Sequence, residues 1–271
     1  MRHPADIALA ATLHDAAGAL AADIEGGLPR LGALYRAIVV TTTPSTVPRI
    51  RTLLTAAGVH AGTPATDAHG PLYRLALRRA SVVGAPQVHY IDFDRALRWA
   101  RRAPRELAAV LRAARRHAVV LLGRTAKAHR SHHRPLHATE VVANRLFAER
   151  LGIAGHVDFL VPSFVVRTEA AVRLLGRSRA RGPAMYGEWA ALLAGLAPEI
   201  AYVECRGLDW ETPDRHRAAV RRLGLPAWRR RQETSAEWAR RVEMAAEFVR
   251  GFARGLERWP AGRVALRRLP G

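Results

Sequence analysis

The sequence has little of several residue types, and each shortage excludes a class of protein. Cys205 is the only cysteine among 271 residues, so the chain cannot form an internal disulfide framework, and a reducing compartment is expected. No apolar run approaches the ~20 residues that a membrane-spanning helix needs. The N-terminal segment MRHPADIALAATLHD is interrupted by Asp6, His14 and Asp15, which argues against a signal peptide or an anchor. We therefore expect a cytoplasmic protein.

Acidic residues are also scarce beside basic ones. The chain has 43 Lys and Arg against 23 Asp and Glu, a net charge of +20, and Lys127 is its only lysine. This excess indicates an anionic partner such as nucleotide phosphates, nucleic acid or an acidic membrane surface, with a merely solvated basic surface as the alternative. Basic patches with interleaved aromatics and known nucleic-acid motifs are missing, so we expect no nucleic-acid partner. The composition leaves peripheral contact with an anionic membrane and the oligomeric state open.

Strand-like and helix-like segments alternate through the first half of the chain. The strand-like segments are 6–13, 37–43, 59–65, 87–94 and 117–124, and helical patterns of 10 to 20 residues separate them. This alternation is typical of βαβ units, and it predicts an α/β protein with a mainly parallel sheet covered by helices on both faces.

The second half is less regular. The histidine-rich segment 125–139 is predicted to be a loop that closes over an anionic ligand, because it lacks the acidic or cysteine partners of a zinc site. Strands are predicted within 157–167 and from 199 onward. From about residue 214 a basic helical tail is predicted, in which spaced aromatic residues pack the tail onto the body of the protein.

Two aspartates in QVHYIDFD stand at the end of an apolar, strand-like run. Positions i and i+2 of a strand point to the same side, so Asp92 and Asp94 are expected to project together. In open parallel sheets ligands bind beyond the carboxyl ends of the strands. Adjacent carboxylates suit a hard divalent cation that also contacts phosphate oxygens. The alternative is that Asp94 caps the following helix and Asp92 forms a surface ion pair.

The order of a strand, a turn and helix with Gly70 and Arg74, and then VHYIDFD resembles the N-terminal half of GT-A-fold glycosyltransferases, especially the family-two type. The likeness extends over most of residues 5–215. It implies a GT-A-like three-layer α/β/α fold for residues 1–225, with a nucleotide-sugar-binding half (1–124) and an acceptor half (125–225). Residues 226–271 would form a C-terminal helical segment.

The resemblance also implies roles for donor-side residues. Asp15 would contact the nucleobase, Asp92 the ribose or base, and Arg74 a phosphate, although an ordinary surface position is the favoured alternative for Arg74. Asp94 of this DxD motif would hold Mn²⁺ or Mg²⁺ against the diphosphate of the donor.

The second half would supply the acceptor side. Glu188, expected at a helix start, resembles the acidic residue that acts as general base, but a favourable interaction with the helix dipole is the alternative. Tyr186 stands where a second acidic residue is usual. His216 would be a further metal ligand, with Asp209 as a lesser candidate, unless their loop is an ordinary polar turn.

These features together predict a metal-dependent glycosyltransferase that moves a sugar from a nucleotide-diphosphate donor to an unknown acceptor. Because Tyr186 departs from the family pattern, the alternative is a catalytically retired nucleotide-binding or glycan-binding relative. A basic nucleic-acid-binding protein is the weakest alternative. A nucleotidyltransferase fits less well, since TLHDAAGAL after the first strand lacks a glycine-rich loop with a basic residue.

Overall fold

A computed structural model describes residues 6–260 and 262–271. Residues 1–5 lie outside the described residues. They include the start of the predicted domain and part of the N-terminal segment that we examined for a signal peptide. The described residues form eight strands: β1 (Ile7–Leu13), β2 (Ala37–Thr42), β3 (His60–Gly62), β4 (Gln87–Asp92), β5 (Val119–Arg124), β6 (Phe164–Arg167), β7 (Glu199–Cys205) and β8 (Ala265–Leu269).

Twelve α-helices lie between these strands in the same described ranges. They are α1 (Ala21–Gly32), α2 (Pro48–Ala56), α3 (His69–Ala80), α4 (Phe93–Arg102), α5 (Pro104–Ala114), α6 (Ala126–Ser131), α7 (Arg134–Arg150), α8 (Thr168–Arg177), α9 (Ala184–Ala194), α10 (Arg217–Leu223), α11 (Leu225–Arg231) and α12 (Ser235–Arg258). Two 3₁₀ turns, Arg206–Leu208 and Thr212–His216, follow β7. No helix within the described part of the chain is both long and apolar enough to traverse a bilayer.

The strands form one mixed sheet in the order β3-β2-β1-β4-β6-β5-β7-β8. Strand β6 pairs antiparallel with β4 and β5, and the other neighbouring strands are parallel. The predicted α/β class with a mainly parallel mixed sheet is therefore confirmed. In the pairing of β1 with β4, Thr12 lies opposite Asp92, so the ends of these two central strands place polar side chains together.

Helices cover both faces of the sheet, as the three-layer prediction requires. Side chains of β1 alternate between the faces: Ala8 and Ala10 contribute to one buried cluster, and Ile7 and Leu9 to the other. The first cluster includes residues of α3, α7, α8, α9 and α12, and the second includes residues of α1, α2, α4 and α5.

Helix α12 packs closely on α9. A Cβ placed at Gly187 of α9 would lie 1.8 Å from the Phe248 carbonyl oxygen, and one at Gly251 of α12 would lie 1.8 Å from the Ala184 carbonyl oxygen. These glycines therefore let the two backbones approach. The buried Phe248 and Phe252 confirm that aromatic residues pack the tail onto the body.

Two predictions about the second half are wrong. Residues 125–139 are not a loop, because α6 and the first turn of α7 cover most of them, with Thr125 capping α6 and Pro135 in the first turn of α7. The tail is not wholly helical either, since β8 pairs in parallel with β7. The basic sequence ALRRL has no strand-like pattern, and it forms a strand because it pairs with β7 at the edge of the sheet.

Candidate active site

Asp92 is the last residue of β4 and lies where the central strands end. Its Oδ1 accepts hydrogen bonds from the Thr12 hydroxyl at 3.1 Å and the Tyr73 hydroxyl at 3.0 Å. Its Oδ2 lies 3.6 Å from Nε of Arg95. The Tyr186 hydroxyl is 2.7 Å from that of Tyr73, so hydrogen bonds connect Tyr186 to Asp92 through Tyr73.

Asp94 does not share the strand with Asp92. The strand ends at Asp92 and α4 begins at Phe93, which places Asp94 in the first turn of the helix. The prediction that both side chains project from one strand is therefore wrong in its geometry. Asp94 Oδ1 accepts from the Arg95 backbone amide at 2.9 Å, and Oδ2 accepts from Arg215 Nη2 at 2.7 Å. Both carboxylates stand at a helix N-terminus, where the helix dipole favours negative charge.

The carboxylate of Asp92 is short of positive charge. Burial raises its pKa to about 6, and the charges of Asp94 and Glu211 act in the same direction, although Arg95 opposes them. The side chain retains 21% exposure. Asp92 can therefore interact with a ligand that supplies positive charge or hydrogen-bond donors.

Two cavities meet at Asp92. The first, which we call the β1 crevice, has a volume of about 420 Å³ and is lined by Thr12, His14, Asp67, Tyr73, Asp94 and Arg215, among others. The second, the α12 cavity, has a volume of about 570 Å³ and lies between the loop after β7 and helices α7 and α12. Asp92 lines both, so ligands in the two cavities would meet at this carboxylate.

The wall of the α12 cavity nearest Asp92 carries buried polar atoms that make no hydrogen bond within the described residues. Within the described ranges, Arg95 Nε and Nη1, Glu211 Oε2 and His132 Nε2 are buried and accept or donate no hydrogen bond. Arg95 Nε lies 3.5 Å from Glu211 Oε2, which is too long for a good hydrogen bond. Buried polar groups in native proteins are normally paired. This cluster therefore suits a polar ligand.

A second buried cluster supports the same cavity and is fully bonded at its centre. Arg124 Nε donates to Asp158 Oδ2 at 2.6 Å and Arg124 Nη2 to Oδ1 at 3.0 Å, while Arg124 Nη2 also contacts Glu140. Asn144 Nδ2 donates to Asp158 at 3.0 Å. The charge of Arg124 and its hydrogen bonds hold the pKa of Asp158 well below its usual range despite burial. The cluster links β5, α7 and the segment before β6.

Two predicted donor-side residues have other partners. Asp15 is buried, and its carboxylate oxygens accept from the backbone amides of Ala19 and Leu20. Arg74 donates to the Ala180 carbonyl at 2.7 Å and to the Ser178 hydroxyl at 3.3 Å. Neither residue lines the β1 crevice. The structure therefore shows both residues holding loops outside this crevice, and their donor-binding roles stay predictions.

Glu188 lies in the second turn of α9 and is fully buried. Its carboxylate accepts from the Ser178 hydroxyl at 2.8 Å and from the backbone amides of Arg179 and Ala180, and Arg258 donates to it at 2.5 Å. It lines neither cavity. The prediction that Glu188 begins a helix is wrong, and its partners, distant in sequence, bury its carboxylate away from both cavities.

The loop after β7 contributes different residues from those predicted. His216 is exposed with its ring 5.4 Å from that of Trp228, and Asp209 pairs with Arg98 Nε at 2.6 Å. The structure therefore does not bring His216 or Asp209 to Asp94. Instead Arg215 reaches Asp94 and Glu211 reaches Arg95.

Sequence reasoning missed Arg95, Glu211, Arg215 and the buried His132. Arg95 directly follows the aspartate pair in DFDR and Glu211 belongs to the acidic loop, so both stood within segments of interest. Arg215 adjoins the predicted His216. The sequence contains no signal that separates these residues from their many charged neighbours.

The two carboxylates could bind a divalent cation only with additional ligands. Asp92 and Asp94 offer the oxygen donors that Mg²⁺ and Mn²⁺ take, and the raised pKa of Asp92 shows a need for further positive charge. In residues 6–260 and 262–271 no three His, Cys, Asp or Glu side chains form a site that could hold a metal ion. The residues therefore fit a cation only if ligand oxygens complete its coordination.

The mixed, mainly parallel sheet with helices on both faces matches the GT-A fold, as the comparison with solved structures shows. Among solved structures, glucosyl-3-phosphoglycerate synthase of M. tuberculosis aligns with a TM-score of 0.51 and 17% identity, over 82% of this chain and 80% of that chain. The resemblance in fold is thereby confirmed. No family model and no curated protein matches the sequence.

Two further structures are similar at lower scores. The same synthase in complex with Mn²⁺, UDP and glucosyl-3-phosphoglycerate has a TM-score of 0.48 and 15% identity, over 98% of this chain and 70% of that chain. A mycobacterial protein has a TM-score of 0.47 and 18% identity over 70% of this chain. This chain spans 60% of that mycobacterial protein. At these identities the likeness concerns the fold alone.

Proposed function

We propose that the protein is a metal-dependent glycosyltransferase that moves a sugar from a nucleotide-diphosphate donor to an acceptor. One observation carries this proposal: Asp92 and Asp94 stand at the carboxyl end of a central strand of a GT-A fold, where the β1 crevice and the α12 cavity meet. Ligands of such sheets bind beyond the strand ends. The crevice would hold the donor and the α12 cavity the acceptor.

In this proposal Asp94 holds Mn²⁺ or Mg²⁺ together with phosphate oxygens of the donor. The cation would neutralise the charge that develops on the departing nucleoside diphosphate. Asp92, bonded to Thr12 and Tyr73, would accept a hydrogen bond from the ribose or base. Arg215 lies beside Asp94 in the crevice, and its planar guanidinium suits a phosphate group.

Calorimetric titration with UDP, GDP, CDP, ADP and dTDP, each with and without Mn²⁺, tests the proposal. We expect one or more of them to bind, with Mn²⁺ increasing the affinity, and Asp94→Ala to abolish that increase. Glu25→Ala, which removes an exposed carboxylate of α1 outside both cavities, is the control and should bind like the wild type. Failure of every nucleotide to bind would contradict the proposal.

A catalytically retired nucleotide-binding relative is the second candidate, because Arg215 pairs with Asp94 at 2.7 Å. Turnover separates the two candidates. Incubation with Mn²⁺ and the nucleotide-sugars of the bases that bind should release nucleoside diphosphate if the protein is an enzyme, since water in the α12 cavity can replace the acceptor. The retired relative would be favoured if nucleotides bind tightly but no nucleoside diphosphate is released and no sugar is transferred to any acceptor in a panel of sugars and polyols.

A further inference from the structure

The transfer reaction needs a group that takes the proton from the acceptor hydroxyl. Glu188 cannot do this, because it lines neither cavity and its oxygens are bonded to the segment 178–180 and to Arg258. The group should therefore lie in the α12 cavity beside Asp92. Four carboxylates line that cavity: Asp92, Glu140, Glu211 and Glu237.

Three of these carboxylates already have strong partners. Glu140 is bound by Arg124. Glu237 accepts hydrogen bonds from Arg240 and Arg241 at 2.7 and 2.8 Å, and these bonds and the charges of the two arginines lower the pKa of Glu237 to about 2. A carboxylate held by such guanidinium donors is a weak base. Asp92 accepts from two hydroxyl groups and is already engaged as the donor-side carboxylate of the proposed function.

Glu211 differs from all three. Glu211 is only 8% exposed, and its Oε2 accepts no hydrogen bond from the described residues. Oε1 is 3.3 Å from the Thr212 hydroxyl, which orients the carboxylate. Burial raises the pKa of Glu211, and the charge of Asp94 adds to this, while Arg95 and Arg215 oppose it. The carboxylate is thus a stronger base than an exposed glutamate.

Other cavity groups offer complementary hydrogen bonds. His132 Nδ1 lies 3.2 Å from the Ala128 carbonyl, and burial, with Arg124 and Arg95, lowers the ring's pKa well below its usual value. A neutral ring that donates through Nδ1 has an acceptor at Nε2, and this atom is unpartnered among the described residues. With the donor atoms of Arg95 beside it, the wall suits a hydroxylated acceptor.

We propose that Glu211 is the general base of this transfer, an inference that rests on the proposed function. The acceptor oxygen forms a bond to the anomeric carbon as its proton passes to Glu211 Oε2. The bond between that carbon and the diphosphate oxygen breaks, and its electron pair leaves with the nucleoside diphosphate. A direct displacement of this kind inverts the anomeric configuration.

The test uses the full chain, Mn²⁺ and the nucleotide-sugar that the wild type hydrolyses, with water as the acceptor. For Glu211→Gln we expect hydrolysis to fall by about 10²–10⁴-fold, with the affinity for Mn²⁺ and the nucleoside diphosphate unchanged within about twofold. Glu211→Asp should restore part of the rate, since it retains a carboxylate. Glu25→Gln is the matched control, and proton NMR of the freshly released sugar should show inversion.

The possible results separate this inference from the proposed function. If the wild type neither hydrolyses nor transfers the sugar of any nucleotide-sugar, the proposed function itself fails. If the wild type is active, three results overturn only the role of Glu211: a rate of Glu211→Gln near that of the wild type, a released sugar of retained configuration, or a loss of Mn²⁺ affinity that matches the loss of rate. The last would mean that Glu211 is a metal ligand.

Discussion

The protein contains two charged clusters of the same composition and opposite character. Each has one arginine, one aspartate and one glutamate: Arg124, Asp158 and Glu140 in one, and Arg95, Asp92 and Glu211 in the other. Arg124 meets Asp158 at 2.6 and 3.0 Å, whereas Nε of Arg95 stays 3.5 and 3.6 Å from its carboxylates.

The difference appears in the protonation of the aspartates. The pKa of Asp158 is held well below its usual range, while that of Asp92 is raised to about 6. A cluster whose donors and acceptors are paired stabilises the fold, whereas buried atoms without hydrogen bonds, such as Arg95 Nε and Glu211 Oε2, are available to a ligand. Four substitutions would break or sharpen this contrast.

Asp158→Asn should have the largest effect on stability. It leaves Arg124 buried with less compensating charge, which we expect to lower the free energy of unfolding by about 3–5 kcal/mol. Since folding lowers the pKa of Asp158, the stabilisation is present at neutral pH and is lost as the pH falls below the ordinary carboxyl range. Urea unfolding at pH 7 and at about pH 2, below the ordinary Asp pKa of ~3.9, measures both effects. A loss below about 1 kcal/mol at pH 7 would contradict the structural role.

Glu188→Gln should lower the unfolding free energy by about 2 kcal/mol, because its carboxylate accepts several hydrogen bonds, one of them from Arg258. The rate of donor hydrolysis per folded molecule should stay within about twofold of the wild type, since Glu188 lies outside both cavities. Comparison of Glu188→Gln with Glu211→Gln therefore separates a structural carboxylate from a reactive one. A specific loss of rate in the first variant would restore the role predicted from sequence.

Asp92→Asn should stabilise the protein. Folding raises the pKa of Asp92 from 3.8 to about 6, so the group favours the folded state below pH 4 and loses that contribution as the pH rises through 6. With one pKa unit worth ~1.4 kcal/mol and the side chain partly exposed, we expect a gain of about 1–2 kcal/mol at pH 8. The gain should vanish near pH 4. Equal destabilisation at both pH values would show that Asp92 is structural.

His216→Ala should have the smallest effect. The ring is exposed and contacts Trp228, so the unfolding free energy should change by less than about 0.5 kcal/mol. Affinity for Mn²⁺ and nucleoside diphosphate should remain within about twofold. A tenfold weaker affinity would mean that the loop after β7 rearranges to bring His216 to the metal.

Local patterns predicted much of the fold. The β-branched run 37–42 became β2, and the aspartate pair was correctly located at the end of a central strand. The pattern failed where tertiary contacts decide. The segment that forms β8 has a basic sequence without a strand pattern, and it is a strand because it pairs with β7.

The candidate site was predicted only in part. Asp92 and Asp94 could be singled out because they follow an apolar strand, whereas Glu188 could not be excluded, because Ser178 and Arg258 bury it from elsewhere in the chain. Glu211 and Arg95 are 116 residues apart in sequence and meet only in the fold. Their missing hydrogen bonds are a property of three-dimensional packing.

The central claim is that the carboxylates of Asp92 and Asp94, at the end of β4, bind a cation together with a nucleoside diphosphate. Anomalous diffraction from crystals grown with Mn²⁺ and the nucleoside diphosphate that binds best tests it most directly. We predict a manganese peak at the Asp94 carboxylate, with the nucleotide in the β1 crevice and Arg215 moved from Asp94 to a phosphate. A nucleotide bound elsewhere, or one bound in the crevice with Arg215 still on Asp94 and no manganese, would contradict the claim.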